Sequence, residues 1–312
     1  MNTPVALLDV GSNTIKILVA VLDAHGHVNP LLSRAVDARI SAGISRENPS
    51  LSEAGMDAAM AAINQLLAEA APFGPVRVDI VATSAVRDAG NGSAFAERVR
   101  RETGFEMRIL TGAEEAGGIG AGLTCDPALA DLANFYVFDL GGGSLECLAF
   151  EGRAVRQETS LPLGCVRLTE KYVTDPSEPV RLVTCKRIMG HTRTTLAESG
   201  FRFDLPDATA IATGGTASTA RAIYGVREGR TGGETSSLLT VRQLREQLEQ
   251  VAALPLAERK KMPGLPPERA DVYPAALATL IAVAEAGGLV SYRHSFYNLR
   301  YGLAARMLAE LG

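Results

Sequence analysis

Two stretches of this chain repeat one pattern: an apolar strand, a turn that opens on Asp-x-Gly, and a second apolar strand. Residues 5–8 are apolar and lead into Asp9-Val10-Gly11-Ser12-Asn13; residues 15–21 are apolar again, with Lys16 as the only charge. Residues 135–138 lead in the same way into Asp139-Leu140-Gly141-Gly142-Gly143-Ser144 and then residues 145–150. Self-similarity on this scale points to two related domains and not to a short solenoid repeat. The boundary is expected in residues 124–134, where Cys125-Asp126-Pro127 breaks a helical pattern. We therefore expect one domain over residues 1–124 and another over 125–312, with the last helix able to pack back on the first.

Strand and helix patterns alternate through both halves, the mark of an α/β protein. After the first hairpin come a strand near 28–36, a helix over 51–70 that Ser52 can cap, a strand over 76–82, a helix over 95–102, a short strand over 107–110 and a Gly-rich helix over 113–123. After the second come a strand over 154–161, a helix over 180–199, a strand over 208–212 and a helix over 216–224 that follows Gly214-Gly215. Helices over 241–253 and 270–285, a last strand near 289–299 and a helix over 301–311 complete the chain.

Composition removes several function classes. Of 312 residues, 46% are hydrophobic and 21% charged, which excludes disorder for the bulk of the chain. The net charge of −4 and pI near 5.7 argue against a dedicated nucleic-acid binder. They leave room for an anionic substrate, since a local Arg cluster works inside an acidic protein. The four cysteines, at 125, 147, 165 and 185, form no CxxC pair, so neither a disulfide scaffold nor a zinc ribbon is expected. They read as small buried hydrophobes. No basic stretch followed by an apolar one opens the sequence, and the longest apolar run, residues 275–284, is too short to cross a bilayer. A soluble cytoplasmic protein with no membrane partner is the expectation; a homodimer is compatible with it.

A glycine turn between two strands differs from the Walker and Rossmann loops, which lead into a helix. Its successive N–H groups can still converge on an anion. Ser12 and Ser144 can add hydroxyl donors, and Asp9 and Asp139 suit a hydrated Mg²⁺ that also takes phosphate oxygens. Two ordinary β-turns are the competing reading, weakened because the turns recur at matching positions. The four histidines have no partner at ligand spacing, so neither a histidine metal site nor a His nucleophile is expected. Two basic runs, Arg98-Val99-Arg100-Arg101 and Arg259-Lys260-Lys261, read as solvated faces, with a polyanion path as the alternative.

Five ordered motifs, the two turns together with residues 82–89 (Ala-Thr-Ser-Ala-Val-Arg-Asp-Ala), residues 111–116 (Thr-Gly-Ala-Glu-Glu-Ala) and Thr213-Gly214-Gly215-Thr216, resemble the exopolyphosphatase and guanosine pentaphosphate phosphatase (Ppx/GppA) family of the actin-like ATPase superfamily. The resemblance covers nearly the whole chain. It implies two ribonuclease-H-like α/β domains with the active site in an interdomain cleft. It assigns Glu115 to orient or deprotonate the attacking water, with Glu146 assisting or binding metal beside Asp9 and Asp139. It assigns Ser12 and Asn13 to the first phosphate loop, and Gly141, Gly142, Gly143 and Ser144 to the second. Arg87 would neutralise a phosphate, and Gly214, Gly215 and Thr216 would touch a nucleoside or a distal part of the substrate. Local alternatives are a helix-dipole role for Glu114 and Glu115, an Arg87–Asp88 surface ion pair, and Thr216 as a helix cap.

Residues 295–302, Ser-Phe-Tyr-Asn-Leu-Arg-Tyr-Gly, depart from the family's usual pattern at Phe296, Asn298 and Tyr301; Ala276 replaces a usual Gly. These changes leave substrate length preference open. The chain also stops after the second domain, so the extra helical domain of longer members is not expected. The activity implied is Mg²⁺-dependent (or other divalent-cation-dependent) hydrolysis of the terminal phosphoanhydride of inorganic polyphosphate, with guanosine pentaphosphate as the alternative substrate. A non-catalytic nucleotide or alarmone sensor and a kinase of the superfamily are the readings from other classes; no acceptor-binding pattern supports the kinase.

Overall fold

The computed structural model describes residues 3–230 and 234–311. Its contacts divide the chain into Met1–Asp131 with Tyr297–Gly312, and Leu132–Phe296. In the first unit β1 (Val5–Val10), β2 (Thr14–Leu22) and β3 (Val28–Asp37) form an antiparallel meander. The helix α1 (Glu53–Ala70) leads to β4 (Arg77–Ala82), followed by the short α2 (Ser84–Asp88), α3 (Gly92–Thr103), β5 (Met107–Ile109) and α4 (Gly112–Thr124). β4 runs parallel to β1 and β5 parallel to β4, giving the order β3-β2-β1-β4-β5. Every residue of β1 is buried, as a central strand covered on both faces requires. β3 is the edge. It tolerates Pro30 because a register irregularity beside Ala20 breaks the ladder there, and its charged side chains discourage further pairing.

The second unit repeats the plan. β6 (Phe135–Leu140), β7 (Leu145–Glu151) and β8 (Ala154–Leu161) form its meander. Then come α5 (Cys165–Tyr172), α6 (Leu182–Glu198), β9 (Thr209–Thr213), α7 (Gly214–Arg227), β10 (Leu238–Thr240), α8 (Val241–Ala253), α9 (Leu256–Arg259), α10 (Tyr273–Ala286) and β11 (Ser291–His294). The order β10-β11-β9-β6-β7-β8 has β9 parallel to β6 and β11 parallel to β9. The apolar run of residues 275–284 lies in α10, buried from Tyr273 to Ala284 as the central helix of this unit. Among the described residues no helix is long and apolar enough to cross a membrane.

The closing helix α11 (Leu299–Ala309) belongs by contacts to the first unit, where it packs on α4. Glycines make that approach close. A Cβ at Gly122 would collide with the main-chain oxygen of Asn298, and one at Gly302 with that of Gly118. In a solvated helix Gly→Ala stabilises by about 1 kcal/mol. Here Gly122→Ala should instead destabilise by about 1–3 kcal/mol, because main chain cannot swing aside as a side chain can. Urea unfolding checks this; a midpoint equal to or above wild type would refute the close contact.

The basic run at residues 259–261 needs correction. Arg259 is fully buried and not part of a solvated face. Its guanidinium donates to the carbonyls of Ala270 (3.0 Å), Pro176 (2.8 Å) and Glu178 (3.0 Å), tying two irregular segments together. Arg98 and Arg100 do sit at the surface, paired with Asp57, Glu102 and Glu97.

Candidate active site

In the first unit the β1–β2 turn carries Asp9 on its incoming strand, opposite Lys16 in register. Burial pushes the Asp9 carboxyl above its ordinary pKa, while the charges of Lys16 and Arg300 pull it down. Asn13 and Ser12 are buried. The segment after β3 closes over them: Ala38 and Arg39 donate their amides to the Asn13 carbonyl, and Ser41 donates to the Ser12 carbonyl. Arg39 Nε also donates to Asn13 Oδ1 at 3.0 Å. This wrap holds Arg39 at φ +38°, left-handed for a residue with a Cβ, at a cost of about 1–2 kcal/mol.

Ser12 Oγ meets Ser84 Oγ at 3.0 Å, so the turn is tied to the first residue of α2. At the other end of α2, Arg87 Nη1 donates to Glu115 Oε2 at 2.7 Å and to the Leu110 carbonyl at 3.0 Å. Its Nε stands 3.8 Å from Asp88, a longer contact than that to Glu115. Five residues of helix thus join the candidate phosphate turn to the candidate water-orienting carboxylate.

Glu114 and Glu115 separate cleanly. Thr111 caps α4, and Glu114 completes a capping box by accepting from the Thr111 amide at 2.8 Å. Those bonds from Thr111, with help from Arg108, lower the Glu114 pKa. Glu114 is exposed and does the work of a helix end; Glu115 is buried and held by Arg87.

In the second unit Asp139 stands opposite Glu146 in register, and Glu146 Oε1 accepts from Ser160 Oγ at 2.8 Å. The Gly141–Ser144 turn is clamped through its carbonyls. Cys165 donates its amide to Gly141 O, and Val166 and Arg167 donate theirs to Gly142 O. Arg167 Nε donates to Gly143 O at 2.9 Å. Gly164 permits this approach, since a Cβ there would run into Gly142 and Gly143.

Gly214 opens α7 at φ +83°, and a Cβ on it would strike Asp139 Oδ1. The Gly214–Thr216 turn therefore lies against Asp139, and the Arg269 guanidinium lies against Gly215. Thr216 is buried inside the first turn of α7; the cap is Thr213, with no side-chain hydrogen bond.

His294, at the end of β11, contacts Ser218 Oγ through Nε2 at 3.0 Å and Arg221 Nη1 through Nδ1 at 3.4 Å. Burial, and then the Arg221 charge, hold its pKa down to about 4. Unfolded, it takes up a proton near 6.5 that the folded chain refuses until about 4. Its stabilising effect is complete above that ordinary value and is lost as pH falls to about 4, on the order of 3 kcal/mol in all. His294→Gln should therefore flatten the loss of urea stability between those two pH values. Equal slopes in the two proteins would show that His294 does not carry it.

Among the described residues no group of three or more His, Cys, Asp or Glu gathers as a metal site. A hydrated Mg²⁺ does not need one: one or two carboxylates plus substrate oxygens suffice. The two units differ here. Asp9 faces the Lys16 ammonium, whereas Asp139 faces a second carboxylate, Glu146. Like charges opposed across a ladder repel, so Asp139 and Glu146 fit a divalent cation. The Asp9 charge is offset by Lys16 and Arg300.

Sequence reasoning missed Arg39, Arg167 and Arg269. Each lies far along the chain from the turn it touches, so spacing gave no signal; only the positively charged side chain next to a segment boundary could have prompted a search.

Comparison with known proteins gives one consistent answer. The model of the Ppx/GppA phosphatase family matches residues 18–311. Exopolyphosphatase 1 of Mycobacterium tuberculosis is 29% identical, with 97% of this chain and 87% of that protein covered. Guanosine-5'-triphosphate,3'-diphosphate pyrophosphatase of Aliivibrio fischeri is 30% identical, covering 100% of this chain and 60% of that longer protein. A crystal structure of an exopolyphosphatase from Cytophaga hutchinsonii superposes with a TM-score of 0.88 at 22% identity, covering 99% and 98% of the two chains. That of the Aquifex aeolicus Ppx/GppA family member gives 0.80 at 24%, covering 100% and 99%. The two repeated units are those of the actin-like two-domain fold.

Proposed function

The chain belongs to the Ppx/GppA phosphatase family, and we propose that it hydrolyses the terminal phosphoanhydride of inorganic polyphosphate, releasing orthophosphate. Guanosine pentaphosphate, cleaved at its 5′ end, is the second substrate of the same chemistry, favoured by the Aliivibrio fischeri relative. The observation that carries the reading is the buried Glu115 carboxylate, held by Arg87 at the far end of the helix that Ser12 anchors.

Water adds to the terminal phosphorus as the bond to the bridging oxygen breaks, and the shortened chain leaves with that oxygen. Glu115 orients the water and accepts its proton. Because the transition state of phosphoryl transfer is loose, placement of the water matters more than the strength of the base. Amides of the turns at Gly11–Asn13 and Gly142–Ser144 donate to the phosphate oxygens, while the Gly141 amide closes its own turn on the Ser144 carbonyl; Ser12, Asn13 and Ser144 add side-chain donors. Gly214, Gly215 and Thr216 meet a more distal part of the substrate. Asp139 and Glu146 would hold the divalent cation, which supplies neutralisation of phosphate charge when bound. Asp9, the third carboxylate of the two turns, would reach the cation only through water, its charge being already offset by Lys16 and Arg300. The cytoplasm is the proposed location.

The test is phosphate release by the purified protein from polyphosphate, pentaphosphate and ATP, with Mg²⁺ and with excess EDTA. Metal-dependent release from polyphosphate or pentaphosphate supports the reading. Binding of pentaphosphate without release would favour a sensor instead.

A further inference from the structure

We infer that Ser84 is a positioning residue for substrate: its hydroxyl donates to Ser12 and so turns the Ser12 proton onto a phosphate held by the β1–β2 turn. The inference rests on the reading of that turn as a phosphate site, and both residues belong to the first unit.

The two hydroxyls do not balance. Ser12 Oγ and Ser84 Oγ stand 3.0 Å apart, in residues only 4% and 3% exposed. Neither hydroxyl has a further hydrogen-bond partner among the described residues. Each brings one proton and two lone pairs. The bond between them consumes one proton, whichever way it runs, and the other stays buried with no acceptor in the protein. Buried polar groups are nearly all paired, so a leftover proton marks a place where a ligand or a water supplies the acceptor.

A staple is not needed at this point. The Thr83 amide already donates to the Val10 carbonyl at 3.3 Å, and the Leu110 amide to the Ala82 carbonyl at 2.9 Å, so main chain fixes the start of α2 against its neighbours. Ser84 and Arg87 stand three residues apart and share a face of α2. One meets the turn and the other meets Glu115.

The direction of the serine bond follows from the acceptors. A phosphate oxyanion is a stronger acceptor than a hydroxyl oxygen. Ser12 lies in the turn itself, so with phosphate present its proton goes to the anion and its lone pair takes the proton of Ser84. Each bond of such a chain polarises the next, so Ser84 strengthens Ser12 as a donor and fixes its rotor. A water would satisfy the same leftover proton, but without any coupling to substrate affinity.

The test is a double-mutant cycle on the whole protein with Mg²⁺, read as calorimetric binding of a methylene-bridged tripolyphosphate analogue that cannot be hydrolysed; circular dichroism establishes folding. Ser84→Ala is expected to weaken binding about three- to tenfold. In the Ser12→Ala background the same change should have no effect, since the donor it orients is gone. A merely structural role would lower stability and leave affinity alone. Unchanged affinity in folded Ser84→Ala, or an undiminished penalty in the Ser12→Ala background, would overturn the inference. Should Ser84→Ala not fold, Ser84→Cys decides, because a thiol of similar size is a weak donor: the same loss supports the inference and unchanged affinity overturns it. A wild-type protein that binds no analogue overturns the phosphate reading of the turn together with the inference. One that binds through the coupled serines yet releases no phosphate from polyphosphate or pentaphosphate fails the hydrolase reading alone.

Discussion

Glu115→Gln is expected to lower kcat for phosphate release by about 10²–10⁴-fold while KM changes little. The amide keeps the size of the carboxylate, and its carbonyl can still accept from Arg87 Nη1, which lies 2.7 Å from Glu115 Oε2. What it loses is the ability to take a proton from water and the charge that orients it. The phosphate turns are untouched, so substrate affinity has no reason to fall. The neighbouring substitution is the control. Glu114 accepts from the Thr111 amide and hydroxyl in a capping box, and glutamine serves that position as well as glutamate. Glu114→Gln should therefore leave both turnover and stability near wild type. Steady-state kinetics on polyphosphate decide the matter, and the reverse ranking of the two variants would remove Glu115 from the mechanism.

The contrast between these two glutamates shows what sequence carries. Both sit in the first turn of α4, and a helix start favours both by its dipole alone. The motif resemblance chose Glu115; only the structure shows that Glu114 is taken up by the cap. The two meanders were legible because each is a long apolar alternation around an Asp-x-Gly turn, and α1 was legible through Ser52, whose side chain does accept from Gly55. The helix α2 was not, since five residues are too few for a 3.6-residue period to emerge. Nor was α5: at eight residues, with charges at 167, 170 and 171, it looks like loop until its amides are seen to meet Gly141 and Gly142. Charge misled at Arg259. A basic run normally faces water, and this guanidinium is buried because three main-chain carbonyls from distant segments converge on it. Partners supplied by the fold, and not by neighbours in sequence, are what such patterns cannot express.

Arg87 poses the sharper question, because the family resemblance implies a phosphate contact while the structure pairs it with Glu115. The two roles make different predictions. As a positioning residue, Arg87 fixes the carboxylate that orients the water, and Arg87→Ala should lower kcat by about 10–100-fold. As a phosphate contact, it should raise KM, more so for longer polyphosphates and less so at high salt. We expect both effects, with the loss in kcat dominant, because the 2.7 Å bond to Glu115 lies in a part-buried setting where a charged hydrogen bond is strong. A double-mutant cycle separates the terms. In the Glu115→Gln background the kcat penalty of Arg87→Ala should shrink to a few-fold at most, since the carboxylate it positioned is gone, while any KM penalty should persist. A kcat penalty that is undiminished in that background would show that Arg87 acts on the substrate directly and that its pairing with Glu115 is incidental to turnover.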